Sequence, residues 1–252
     1  MTSPTLRPAR LVDYAPWILR DYLTNQGPAT TIVVMLVMAM MLAPAFAAAG
    51  PVPFGGMPER MAFPLLRELV VPLAFLGAFF ATNGIVANDR KFGYFRFLFS
   101  KPVHPAVYYA LTFVVYGVGV LLVTLVVAGA WAVAVRPMFV PRLFVVVVIM
   151  YVAYGGIGLL LSAAWRFDWL SLITVVFVAN VAWSVWGEAT GWRHTLLYLL
   201  PPVHRAGDVY ALVGPAAAGT IRWDSIGWVA GYGLACFFLG LVVIRRRPLG
   251  TS

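Results

Sequence analysis

Hydrophobic residues in this chain run in blocks far longer than a soluble helix or strand needs, and polar residues gather in the intervals between them. Six blocks qualify as membrane spans: Thr30–Ala49, Pro64–Ala87, Ala106–Val135, Leu143–Trp165, Trp169–Trp186 and Trp223–Ile244. At 1.5 Å of rise per residue, about 20 apolar residues cross roughly 30 Å of hydrocarbon. The block Ala106–Val135 is long enough to tilt or to extend beyond the bilayer. The pattern therefore predicts an all-α integral membrane protein with one transmembrane domain. Residues 1–28 form a tail and an interfacial helix, 30–244 a six-span bundle, and 245–252 a second tail.

The intervals carry their own signals. From Asp13 to Gln26 the apolar residues Ala15, Ile18, Leu19, Tyr22 and Leu23 share one side of a helix that Pro16 can start. Tyr14, Trp17 and Tyr22 suit the headgroup layer, so this helix is expected to lie at the interface before the first span. Ala-Phe-Ala-Ala-Ala at the end of that span imitates a signal-peptidase site, but the long patterned region before it argues against cleavage. Gly50–Phe63 is a Pro/Gly-rich loop, Arg136–Arg142 a tight turn holding Pro137 and Pro141, and Arg166–Asp168 a minimal turn. In the long interval Gly187–Arg222, the apolar pieces Leu196–Leu200 and Val209–Val213 are too short to span. They can dip into one leaflet or form a plain loop.

Composition narrows the class. With 62% hydrophobic and 11% charged residues, the chain is not a soluble globular domain. The net charge of +9 is spread singly over the ends of apolar blocks, which fits topology setting and not nucleic-acid binding. Eleven Lys and Arg fall on the side that holds both termini and seven on the other, where the intervals are also longer. The termini are thus expected in the cytoplasm, in a multi-pass plasma-membrane protein of the bacterial inner-membrane type. The single cysteine, Cys236, lies in an apolar block and reads as a small buried hydrophobe.

The one charge-dense stretch between long apolar blocks is 88–104, where Arg90, Lys91, Arg96 and Lys101 stand against Asp89. As a helix it would place Phe92, Phe95 and Phe99 on one face, before Pro102 and Pro105 break it. A basic helix with an aromatic stripe lies along a membrane surface. The competing reading is a solvated positive loop that only fixes topology.

Asp89, Arg90, Gly93, Arg96, Leu98, Pro102 and Val103 together resemble the loop after the second span of ABC-2 type exporter permeases. The resemblance implies that this segment is a cytoplasmic coupling helix docking on a separate ATPase subunit. Its coupling residues would be Asp89, Arg90, Phe92, Gly93, Phe95, Arg96, Phe99 and Pro102. It further implies a re-entrant outer segment between spans five and six, and a second permease copy or sister permease completing the helix set. No phosphate-cradling Gly-x-x-x-x-Gly-Lys motif occurs, so ATP and Mg would belong to the partner ATPase and no cofactor to this chain.

Few residues inside the spans carry chemistry. Arg67 and Glu68 with Asn83 are candidates to line a translocation path, or the two charges snorkel to the interface. Asn180 reads as a hydrogen-bonding link to a neighbouring helix. Gly155 and Gly158, and Gly227 and Gly231, form small-residue faces for helix packing. His104 falls on the side opposite His194 and His204, and no spacing suits a metal; no hydrolase motif is present either. Two other functions remain open. A secondary transporter or channel would need ionisable residues near the membrane centre, and a non-transporting assembly or scaffold protein would keep the same spans.

Overall fold

The computed structural model describes residues 14–49, 55–82, 85–86, 89, 104–164, 170–188, 190–214 and 221–246. Among them there is no strand, and five helical runs are long and apolar enough to cross a membrane. The molecule is an all-α, multi-pass membrane protein. In chain order the helices are α1 (Ala15–Asp21), α2 (Gly27–Ala49), α3 (Glu59–Thr82), α4 (Pro105–Ala134), α5 (Val140–Ala164), α6 (Leu170–Trp186), α7 (Trp192–Leu197), α8 (Val203–Tyr210) and α9 (Trp223–Arg246). At 17 residues α6 is shorter than the five.

The N-terminal helix is not a separate element. Tyr22–Gln26 is a π-turn with helical dihedrals on both sides, so α1 runs directly into α2. Tyr22 packs inside the protein: it is fully buried, its ring 5.1 Å from that of Tyr116 and pressed on Gly119. Helix α2 then packs through one stripe, Val34, Met38 and Leu42, and leaves Ile32, Leu36 and Met40 exposed. The four-residue spacing of each stripe is what puts them on opposite faces.

Helix α3 begins at Glu59, five residues before the proline expected to open it, and Pro64 and Pro72 lie inside it. Helix α5 is the centre of the bundle, crossed by α3 on one side and by α9 on the other. Both crossings depend on missing side chains. On the α3 side, a Cβ on Gly155 would come 3.2 Å from the Thr82 methyl group, and one on Gly158 would overlap the Thr82 hydroxyl. On the α9 side, a Cβ on Gly156 would overlap the Gly233 carbonyl, and one on Gly233 the main chain of Val152 and Ala153. Hydrocarbon gives helices no hydrophobic drive to associate, so such backbone contact supplies van der Waals attraction in its place.

Gly227 and Gly231 make no such approach: a Cβ on either would meet nothing within 4 Å. They lie on other faces of α9 than Gly233 and Gly240, the two glycines that do face α5. Asn180 also differs from expectation. Its amide donates to the Val176 carbonyl of its own helix at 3.0 Å, and its side chain is exposed.

Between α6 and α9 lie two short helices, α7 and α8, each of which contacts α6. Pro202 caps the start of α8, where a missing N–H costs nothing, so the helix lies upstream of the apolar piece expected there. The Trp183 ring of α6 lies between His194 of α7, edge-on at 6.0 Å, and His204 of α8 at 3.6 Å. Tyr232 of α9 donates to the Leu199 carbonyl at 2.8 Å. Burial and the neighbouring Arg205 charge hold the His204 imidazole below its ordinary pKa.

Candidate functional site

Two carboxylates from distant parts of the chain meet the first half of α4. Asp89 follows α3, and its Oδ2 accepts a hydrogen bond from Tyr109 Oη at 2.9 Å. Asp21, the last residue of α1, faces Tyr116 Oη at 3.3 Å and accepts a bond from Asn25 Nδ2 at 2.8 Å. Tyr109 and Tyr116 are seven residues apart, two helical turns, so they share a face of α4. That spacing lines up the two acids along one helix. Neither acid forms an ion pair with another described residue.

The electrostatics follow from this arrangement. Burial pushes the Asp89 carboxyl up from 3.8 to about 6; the Tyr109 hydroxyl pulls the other way, and the charge of Asp21 adds a further push. Asp89 is therefore an acid that changes charge near pH 6, beside a second acid that makes the negative state less favourable.

The same end is fastened to α5. The Val86 backbone N–H donates to Ser162 Oγ at 3.0 Å, tying the chain after α3 to the last turn of α5. Within α4, Phe113 offers its carbonyl to the Tyr151 hydroxyl of α5 at 2.7 Å. Asp89 thus contacts α4 through Tyr109, Val86 three residues before it contacts α5 through Ser162, and Asp21 joins α1 to α4 through Tyr116.

Of the residues expected to couple to a partner, Asp89 is the one described. Arg90, Phe92, Gly93, Phe95, Arg96, Phe99 and Pro102 lie outside the described residues, as does Asn83. Arg67 and Glu68 are both exposed near the other end of α3, and neither makes an ion pair among the described residues. They point apart. Arg67 reaches toward α8, with one guanidinium nitrogen 3.6 Å from where a Gly207 Cβ would stand. Asp21, Asn25, Tyr109 and Tyr116 were not singled out from the sequence. The signal was present in part: Asp21 is the one acid on an otherwise apolar and basic helix, and Tyr109 and Tyr116 open a span at helical spacing.

At the opposite end a cavity of about 120 Å³ opens among α3, α4, the α4–α5 turn and residues 213–214. Its charged residues are Glu59, Arg136 and Arg142. Among the described residues, no group of three or more His, Cys, Asp and Glu is placed to hold a metal ion. No protein-family model matches the chain, and no curated protein or solved structure matches it either.

Proposed function

We propose that this chain is the permease subunit of an ATP-driven exporter of the ABC-2 type, coupled to a separate ATPase subunit through residues 89–103. The observation that carries the reading is the Tyr109–Asp89 hydrogen bond. The first residue of the motif is bonded to the helix that follows the motif, at the level where α1 also meets that helix. A push delivered by a partner on this segment would reach α4 directly, α5 through Val86 and Ser162, and α1 through Asp21 and Tyr116. Coupling of this kind requires that the contacts differ between two global states, as a hydrogen bond to a titratable acid allows.

Under this reading the Asp89 end is cytoplasmic, the membrane is the plasma membrane, and six spans are completed by α6. A second copy or a sister permease supplies the other half of the pathway, Arg67 and Glu68 face the route, and α7 and α8 re-enter the outer leaflet. ATP and Mg belong to the partner. The test is mass measurement of the full chain in native lipid discs with a purified ATPase subunit. The expected particle holds two permease and two ATPase chains, with ATP turnover raised over the ATPase alone. Transport by particles without any ATPase would contradict it.

One observation favours a second reading, a proton-coupled secondary transporter: Asp89 is a half-buried carboxyl, hydrogen-bonded to Tyr109 with no cation beside it among the described residues, and burial holds its pKa up at about 6. That reading requires uptake or efflux driven by a pH gradient in the absence of ATP, lost in Asp89→Asn.

A further inference from the structure

We infer that the cavity at the end of the bundle opposite Asp89 binds the anionic head of an amphiphile, a phosphate-headed lipid being the class it fits, with Arg136 and Arg142 holding the anion. The inference stands apart from the coupling proposal, since it concerns the other end of the molecule and needs no ATPase.

Among the described residues both arginines are positioned but poorly satisfied. Arg142 has its guanidinium carbon 5.6 Å from the centre of the Phe139 ring, and its one hydrogen bond to a described residue, at the Gly214 carbonyl, is long at 3.4 Å. Arg136 faces Glu59 at 4.0 Å, beyond hydrogen-bond length, and that carboxylate is 61% exposed. A guanidinium carries five N–H donors in a planar fork that matches carboxylate or phosphate oxygens. Among the described residues two such forks and a single acid line one cavity, leaving a net charge of one positive unit and most donors unfilled.

The cavity is also graded from polar to apolar. Glu59 opens α3 and Arg136 follows the end of α4, so the charges lie at the helix ends. One and two turns further in, Phe63, Leu66 and Trp131 line the wall, and Leu66 and Trp131 are buried. A lipid has the same polarity gradient, head outward and chain inward. At about 30 Å³ per water in the liquid, 120 Å³ amounts to roughly four waters. That is room for a head anion and its first carbons, while exposed Phe139 beside the opening offers apolar surface to the rest. The rim is held in shape by backbone bonds from Met57 N–H to the Val135 carbonyl at 3.1 Å and from Gly55 N–H to the Ala134 carbonyl at 3.4 Å.

The experiment is native mass spectrometry of the full chain in neutral detergent doped with phosphatidylglycerol or phosphatidylcholine. Wild type is expected to retain phosphatidylglycerol over phosphatidylcholine, and the double variant Arg136→Gln/Arg142→Gln to lose about tenfold of that retention, the scale of one charge-assisted contact. Arg222→Gln is the control, because Arg222 is engaged with Asp208 and Asp224 outside the cavity; retention should not change. Glu59→Gln should raise retention by removing the competing carboxylate, and it keeps the test open if the arginine variants fold poorly. Millimolar inorganic phosphate separates the two sources of the anion: displacement of the lipid marks a site that reads phosphate alone, and persistence marks one that needs the chain. Equal retention of both lipids by wild type overturns the inference. So does unchanged phosphatidylglycerol retention in the double variant, or unchanged or lower retention in Glu59→Gln.

Discussion

Tyr109 Oη lies 2.9 Å from Asp89 Oδ2, and this bond fastens the start of the basic segment to the span that leaves it. Asp89 is half-buried and Tyr109 fully buried, so the pair is shielded from competing water. The carboxylate lacks a cation among the described residues, and burial makes its ionisation less favourable than in water.

Stability should therefore depend on pH through Asp89. Its folded pKa of about 6 lies above the unfolded value of 3.8, so between these pH values the folded state binds more protons. Stability falls as pH rises through that window and levels off above it. Asp89→Asn removes the titration but keeps an acceptor for Tyr109. Thermal unfolding in detergent from pH 4.5 to 7.5 should show the variant gaining on wild type as pH rises. A constant difference across the range would rule out the buried acid.

Tyr109→Phe takes away a hydroxyl that favours the Asp89 anion. The Asp89 midpoint should move above about 6. In a double-mutant cycle with Asp89→Ala, which removes the acceptor, the coupling at pH 7.5 should be about 1.5–3 kcal/mol, the range for a hydrogen bond to a charged group. Additive effects would mean the two side chains do not interact.

The crossing of α5 and α9 sets a contrast among three glycines of α9. Gly233→Ala places a methyl group into the main chain of Val152 and Ala153 and should cost about 1–3 kcal/mol, as overpacking does. Gly227→Ala and Gly231→Ala meet open space and should stay within about 0.5 kcal/mol of wild type, or gain through helix propensity. Unfolding of the three single variants measures this directly, and similar losses at all three positions would contradict the crossing described.

Neighbouring positions on α3 should differ sharply in access. With Cys236→Ser as background, a thiol at Glu68 should react with a membrane-impermeant reagent, because that position is exposed. A thiol at Leu69, 1% exposed, should be protected. Protection at both positions would remove Glu68 from any water-filled route.

The helices were legible in the sequence where physics leaves one solution. A block such as Leu143–Trp165 has to be helical in hydrocarbon, and α5 is found at Val140–Ala164. What the sequence did not reveal depends on partners far along the chain. Asp21 and Tyr116 are 95 residues apart, and no local pattern announces their meeting. Gly227 and Gly231 have the spacing of a packing face, but spacing says only that a helix can be approached. The approach is made at Gly233, because that glycine sits opposite Gly156. Tyr22 looked like an interfacial aromatic until Gly119, on another helix, left room for its ring.

The central claim is that residues 89–103 dock on an ATPase. An arginine buried at such an interface pairs with a carboxylate, and loss of one partner costs roughly 2–5 kcal/mol, against about 0–1 kcal/mol for an exposed charge. A bulky residue at Gly93 would keep a partner's backbone away by size alone. The decisive measurement is pull-down of the ATPase subunit, with ATP turnover, by wild type, Arg96→Glu and Gly93→Leu at equal membrane levels. The account predicts loss of complex and of stimulated turnover in both variants. Normal complex and normal turnover in both would reduce the segment to a positive loop that only sets topology.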